Sequence, residues 1–220
     1  MKGASVMVQT KDPILVPFSK FELEVREGIA WPDGSKVHIR ALSPGDEDGL
    51  REMLSRLSRE SINKRFHLPM PRVPEWALAY LTDVDHHDKE SLVALVGDEI
   101  VGQAMYVRQE ASEAEMAIVV EDRWQSRGIG KLLLTRLVEE AGRRKIEVFT
   151  GTVLGENRNT LRFFSSVLSK ARFKIRNGVY HLYVPLSDPE PMCNLLKPSG
   201  AQEEEKPGEP QKMRIESWKR

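Results

Sequence analysis

The sequence predicts one mixed α/β domain, a partly antiparallel sheet with helices on both faces. Two observations carry this. Alternating strand patterns joined by turn residues come first, and a strand–helix–strand–helix unit follows them. A third observation bears on function. The segment QSRGIGK, residues 125–131, places two glycines and two cations between an apolar run and a helix-like one. The 220 residues give room for one core of about 150 residues plus extensions.

Residues 1–36 read as an N-terminal extension. Phe21, Leu23 and Val25 alternate with charged residues as a half-buried strand does, and Pro32-Asp33-Gly34 signals a turn. A hairpin within 18–42 therefore leads into the core. Val37–Leu42 is a strand, broken at Pro44-Gly45-Asp46. Over Asp46–Leu57, Leu50, Met53, Leu54 and Leu57 recur at helical spacing. Helices are also expected over Ser58–Phe66 and Pro74–Leu81. Ser91–Val96 and Glu99–Arg108 are strands joined across Gly97-Asp98, and Glu113–Val120 is the next strand. Gly128–Arg143 is a helix with Ile129, Leu132, Leu133, Leu137 and Ala141 on one side. A buried strand at Ile146–Val153 precedes a helix at Asn157–Ala171. Phe173–Arg176 and Val179–Pro185 then close as a hairpin across Asn177-Gly178, a favoured turn pair. From Ser187 the chain turns to proline, glycine and charge, so 187–220 reads as a flexible tail and 37–186 as the domain.

Composition excludes several classes. Thirty-three basic and 33 acidic residues cancel, which gives no global attraction to nucleic acid or to an anionic membrane. The single cysteine, Cys193, rules out an internal disulfide framework and suits a reducing compartment. MKGASVMVQTKDP lacks the apolar run of a secretory signal, and no segment approaches the ~20 apolar residues of a membrane span. A soluble cytoplasmic protein is the expectation.

QSRGIGK suits an anion. A helix start exposes unpaired N–H groups and the positive end of the helix dipole, and glycine lets a phosphate approach the backbone. Spacing rejects two phosphate loops. A nucleotide P-loop needs glycine where Gln125 stands and Ser/Thr where Leu132 stands, and the dinucleotide fingerprint needs glycine at Leu133. Gln/Arg-x-x-Gly-x-Gly/Ala between a strand and a helix does fit. Here the sequence resembles the GNAT superfamily of acyl-CoA-dependent N-acyltransferases, and the order of elements matches from about Val37 to Pro185. HLP near residue 67, DVDHHDKESLVAL, GDEIVG, AEMAIVVED and ENRNTLRFF resemble the bacterial protein-lysine acetyltransferases that modify acyl-CoA synthetases.

The resemblance implies a site. Gln125, Ser126, Arg127, Gly128, Ile129, Gly130 and Lys131 would hold the pyrophosphate of acetyl-CoA. Glu115, within AEMAIVVED, matches the general base of the lysine-acetylating branch, with Glu113 on the same strand face as its rival. The main chain of Ile118, Val119 and Val120 would bond the pantetheine arm on a splayed strand, often bulged in this family. Asn157 would contact the cosubstrate or cap its helix. One departure stands out. Where many members carry a tyrosine that protonates the leaving thiolate, this chain has Phe164. The implied reaction is acetyl transfer to an amine, foremost a lysine on a partner protein, with an acyl-CoA synthetase among the candidates. A small-amine acetyltransferase and a non-catalytic acyl-CoA-binding module stay open, as does the oligomeric state. His86 and His87 among Asp83, Asp85 and Asp88 invite a metal, but neighbouring histidines on an extended loop point apart, so a solvated loop is expected and no metal is assigned.

Overall fold

The computed structural model describes residues 29–30, 34, 36–168 and 170–186. The proposed strand at Phe21–Val25 and the tail with Cys193 lie outside these residues. The strands are β1 (Ile29–Ala30), β2 (Lys36–Ala41), β3 (Lys89–Val96), β4 (Glu99–Glu110), β5 (Glu113–Val120), β6 (Val148–Leu154), β7 (Arg172–Arg176) and β8 (Val179–Pro185). The α-helices are α1 (Glu47–Ser55), α2 (Arg59–Phe66), α3 (Glu75–Thr82), α4 (Ile129–Arg143) and α5 (Arg158–Val167). One sheet forms in the order β1-β2-β3-β4-β5-β6-β8-β7. All its pairings are antiparallel except β5 with β6.

Alternation along the central strands explains the two-sided core. Leu92 and Ala94 on β3, with Ala104 and Tyr106 on β4, pack against Leu133, Leu137 and Phe164 from α4 and α5. Val93, Ile100 and Met105 point the other way, to Leu50, Leu54, Ile62 and Leu78 from α1, α2 and α3. Side chains of successive strand residues face opposite sides, so both faces of this sheet are covered by helices.

Several boundaries differ from the sequence reading, each for a local reason. The Asp46–Leu57 helix opens with a 3-10 turn, Pro44–Asp46, and becomes α-helical at Glu47. On α4, Leu134 rather than Leu132 is buried. The strand after α4 begins at Val148, because Lys145 takes a left-handed φ of 58° and the Ile146 N–H still bonds back to the Ala141 carbonyl. The last helix ends at Val167, since Leu168 is already extended (φ −120°, ψ 90°). Asn177 and Gly178 both have positive φ, 49° and 77°, as a tight hairpin turn requires.

At the start of the core, Arg40 on β2 grips Asp46 with two bonds, Nη1 to Oδ2 at 2.5 Å and Nη2 to Oδ1 at 2.7 Å. The Ser43 N–H also donates to Oδ2, at 2.7 Å. Chiefly through the Arg40 bond, the Asp46 carboxyl is held down to about 2, from an ordinary 3.8. A carboxyl whose pKa falls on folding stabilises the fold above its unfolded pKa and loses that contribution as the pH drops towards the folded value. After screening by solvent at the exposed Arg40, this amounts to about 1 kcal/mol. Asp46→Asn is expected to unfold at lower urea than the wild type at pH 7, with the gap closing between about pH 4 and pH 2. A gap that persisted undiminished at pH 2 would show that the charge is not its source.

Candidate active site

The β5–β6 seam is short. Its parallel register runs only from Glu113↔Val148 to Glu115↔Thr150, while β5 stays paired to β4 as far as Val120 and β6 stays paired to β8 as far as Leu154. Beyond Glu115 the two strands separate, and on the β6 side Met116–Val120 has no ladder. The described bulges fall between Ala94 and Leu95 and between Arg108 and Glu110, not beside Ile118. The splay is therefore made by divergence of the strands, without a bulge at that point.

A cavity of about 910 Å³ occupies this region. Glu115, Ile118, Val119, Val120, Gln125, Ser126, Gly128, Gly130, Lys131 and Asn157 all line it. Arg127 and Ile129 do not. Ile129 is fully buried in the core beneath α4, and the Arg127 guanidinium lies 4.8 Å over the ring of Trp124. Glu115 is exposed, at the residue where the strands part.

The loop at 125–131 has the geometry its glycines permit. Ser126 and Gly128 take left-handed φ values of 61° and 88°, and Gly128 is the residue from which α4 begins. The first helical bond runs from the Leu132 N–H to the Gly128 carbonyl at 3.1 Å, so the amides before Leu132 are the helix's opening donors. Left-handed turns of this kind aim successive N–H groups at a common point, where an anion fits. A Cβ on Gly130 would come no nearer than 3.6 Å to the Phe163 ring, so the backbone there is open. Lys131 has its pKa lowered by burial and no ion-pair partner among the described residues. Gln125 is exposed but anchored. Its Nε2 donates to the Val120 carbonyl at 3.0 Å and to Ser61 Oγ at 3.3 Å, which fastens the loop to β5 and α2.

Asp122 completes that fastening. It accepts from the Ser58 N–H at 2.9 Å, from Ser58 Oγ at 2.7 Å and from Ser61 Oγ at 2.8 Å. Ser58 also caps α2 by accepting from the Ser61 N–H at 3.1 Å. Asn157 is buried and caps α5, its Oδ1 accepting from the Thr160 N–H at 3.3 Å. Phe164 is buried beside Phe163, with ring centroids 5.2 Å apart.

Reading the sequence missed the wall opposite β5. Helix α2 brings Lys64, Arg65 and His67 to the cavity, and Thr152 joins them from β6. His67 terminates α2 in the left-handed region, with Nδ1 3.4 Å from Thr152 Oγ1. Burial, aided by Arg65, pushes the His67 imidazole below its ordinary 6.5, while Glu115 opposes the change. No spacing rule marks these residues, because they meet β5 only through the fold. The HLP wording at 67 was the one local sign.

The loop in 125–131, with its opening amide donors and Lys131 at the cavity, suits phosphates, and the slot between the parted strands suits a narrow thioester arm. These features fit an acyl-CoA carrier and put the molecule in the class of acyl-CoA-dependent transferases. Residues 50–168 match the acetyltransferase (GNAT) family, and the chain belongs to that family, whose cosubstrate is acetyl-CoA. It is 32% identical over 129 residues to acetyltransferase Pat of Mycolicibacterium smegmatis, covering 56% of this chain and 38% of that protein. It is 29% identical over 126 residues to acetyltransferase PA5475 of Pseudomonas aeruginosa, covering 53% of this chain and 68% of that one. The chain thus spans well under half the length of the mycobacterial relative. Among solved structures, the GNAT domain of S. lividans PAT superposes with a TM-score of 0.65 at 28% identity, over 70% of this chain and 92% of that one. A Salmonella typhimurium putative acetyltransferase, yncA, solved with its cofactor acetyl-CoA, shares the fold at a TM-score of 0.55 and 17% identity, over 68% of this chain and 94% of that one.

Among the described residues, no group of three or more His, Cys, Asp or Glu is placed to hold a metal ion. His86 Nδ1 lies 2.8 Å from Glu90 Oε1, and His87 Nδ1 lies 2.9 Å from Asp88 Oδ1, so the two imidazoles point to different partners. No described helix is long and apolar enough to cross a membrane.

Proposed function

We propose that this chain transfers the acetyl group of acetyl-CoA to the side chain of lysine on a partner protein, with Glu115 as general base. The observation that carries the reading is the position of Glu115. It is an exposed carboxylate lining the cavity at the last residue of the β5–β6 ladder, where the strands open. The similarity to acetyltransferase Pat supports a protein acceptor, and an acyl-CoA synthetase is a candidate among such partners in the cytoplasm.

Acetyl-CoA, when bound, supplies an acyl carbon already activated as a thioester. The amides at Gly128, Gly130 and Lys131 hold its pyrophosphate, with the Lys131 charge beside them. Main-chain groups of Ile118–Val120, free of a β6 ladder, bond the pantetheine arm and orient the reacting carbonyl. A lysine ammonium has a reference pKa of ~10.4, so it must lose a proton before its nitrogen can attack. Glu115 accepts that proton. Phe164 donates none, so the departing thiolate, of reference pKa ~8.5, takes its proton from solvent. Asn157 caps α5 and also lines the cavity, where it can contact the cosubstrate.

The buried Phe164 favours a second reading, a module that binds acyl-CoA without turnover. Thiol release from acetyl-CoA, measured with and without a panel of lysine-bearing proteins including an acyl-CoA synthetase and a set of small amines, separates the possibilities. Release driven by a protein acceptor supports the proposal. Release only with small amines points to a small-molecule acceptor. Saturable acetyl-CoA binding with no release on any acceptor leaves the binding module.

A further inference from the structure

Arg65 is a half-buried cation in the cavity wall, with no ion pair among the described residues. Its Nη2 donates to Met105 Sδ at 3.3 Å, and its guanidinium lies 5.1 Å over the Phe66 ring. Among the described residues no carboxylate is within ion-pair range of it. The preceding residue differs, since Lys64 is paired with Glu60. A guanidinium carries five N–H donors, and a thioether sulfur is a weak acceptor for one of them. Burial pulls the Arg65 pKa down to about 10, with Tyr80 and Glu115 opposing. A half-buried charge left in this state is one that a ligand can complete.

Its position says which ligand. The N-terminal end of α2 is tied through Ser58 and Ser61 to Asp122 and Gln125, at the phosphate loop. Its C-terminal end reaches Thr152 through His67. Arg65 lies four residues beyond Ser61, about 6 Å further along the helix. Met105, which it touches, pairs with Ala117, two residues from Glu115. Arg65 therefore belongs to the Glu115 end of the cavity and not to the phosphate end. Charge balance points the same way. Lys64 is matched by Glu60 and Lys131 stands at the phosphate loop, so Arg65 and Glu115 are the charges left at this end. An acceptor that brings a carboxylate beside its amine would meet both of them.

We propose that Arg65 recognises a carboxylate on the acceptor, a short distance from the amine that Glu115 deprotonates. The planar fork of a guanidinium matches a carboxylate with two parallel bonds. Under the protein-acceptor reading, on which this inference rests, the carboxylate is an Asp or Glu side chain next to the target lysine. The same chemistry is offered by the α-carboxylate of a free amino acid.

The test uses the full chain, acetyl-CoA and paired acceptors: a lysine peptide flanked by glutamate, the same peptide flanked by glutamine, free lysine, and lysine amide. Wild type is expected to favour the glutamate peptide over the glutamine peptide by ~10-fold or more in kcat/KM. Arg65→Gln is expected to erase that preference and to change the rate on the glutamine peptide by less than ~3-fold. Arg65→Lys is expected to keep part of it, as a point charge without the fork. A preference for free lysine over its amide, with none between the peptides, would assign the carboxylate to a small acceptor. Equal turnover of charged and neutral acceptors by the wild type overturns the inference alone and needs no variant that folds. An equal loss by Arg65→Gln on both peptides assigns Arg65 a structural part and overturns it too. Absence of turnover on every acceptor, with acetyl-CoA still bound, overturns the protein-acceptor reading and this inference together.

Discussion

Replacing Glu115 by glutamine is expected to lower turnover by ~100-fold or more while leaving acetyl-CoA affinity within ~3-fold of wild type. The amide keeps the shape of the side chain and removes its capacity to take a proton. Glu115 is exposed and stands away from the phosphate loop, so its loss has little to do with holding the donor. The residual rate should recover as pH is raised, because more of the acceptor amine then arrives already neutral. Turnover of the variant within a few-fold of wild type at pH 7 would sink the assignment. Glu113, two residues earlier on the same strand face, would then be the next to replace, and it does not line the cavity.

The second large effect concerns stability. Phe149 on β6 is fully buried, 5.9 Å from the ring of Tyr106, and its register partners are Ala114 on β5 and Val184 on β8. Phe149→Ala is expected to cost about 3–5 kcal/mol, since the cavity left behind cannot close in a core covered by helices. That corresponds to a fall in Tm of roughly 10 °C for a chain of this size. Phe149→Leu, which preserves most of the volume, should cost no more than about 1.5 kcal/mol. Thermal melts of the two variants decide it. A loss below about 1 kcal/mol for the alanine variant would contradict the packing described for β6. Phe149 also holds Thr150 opposite Glu115, so the same side chain steadies the place where the strands begin to part.

How far the sequence reveals this molecule depends on how local the signal is. Strands β3 to β5 are legible because each has a turn at its end and apolar residues placed for a covered sheet. The phosphate loop is legible because glycines, cations and a helix start lie within seven consecutive residues. Even there, side-chain direction is hidden. Ile129 and Arg127 sit inside the motif, yet one faces the core and the other covers Trp124. The end of α5 is missed because the apolar pattern continues through Leu168 while the backbone has already become extended. The opposite wall is harder still. Arg65 and His67 are brought to the cavity by α2, whose start is anchored by Asp122 and Gln125 and whose Ile62 packs in the core. Contacts between segments so far apart in sequence leave no periodicity to read.

The three-residue seam between β5 and β6 has a consequence for how the domain holds together. The strands before it form one antiparallel meander, those after it pair antiparallel in the order β6-β8-β7, and the short ladder of Glu113–Glu115, with the Ser112 carbonyl beside it, laces the two edges. An acyl carrier lodged where the lacing stops would act as a substitute strand, sharing backbone bonds with β5 that no other segment offers. The donor would then be part of the architecture as well as a reactant. By mass action, 100 times its dissociation constant would add about 2.7 kcal/mol to folding stability. Amide exchange along Met116–Val120 should slow in step with that gain. A protein arranged in this way is firmest when it is loaded.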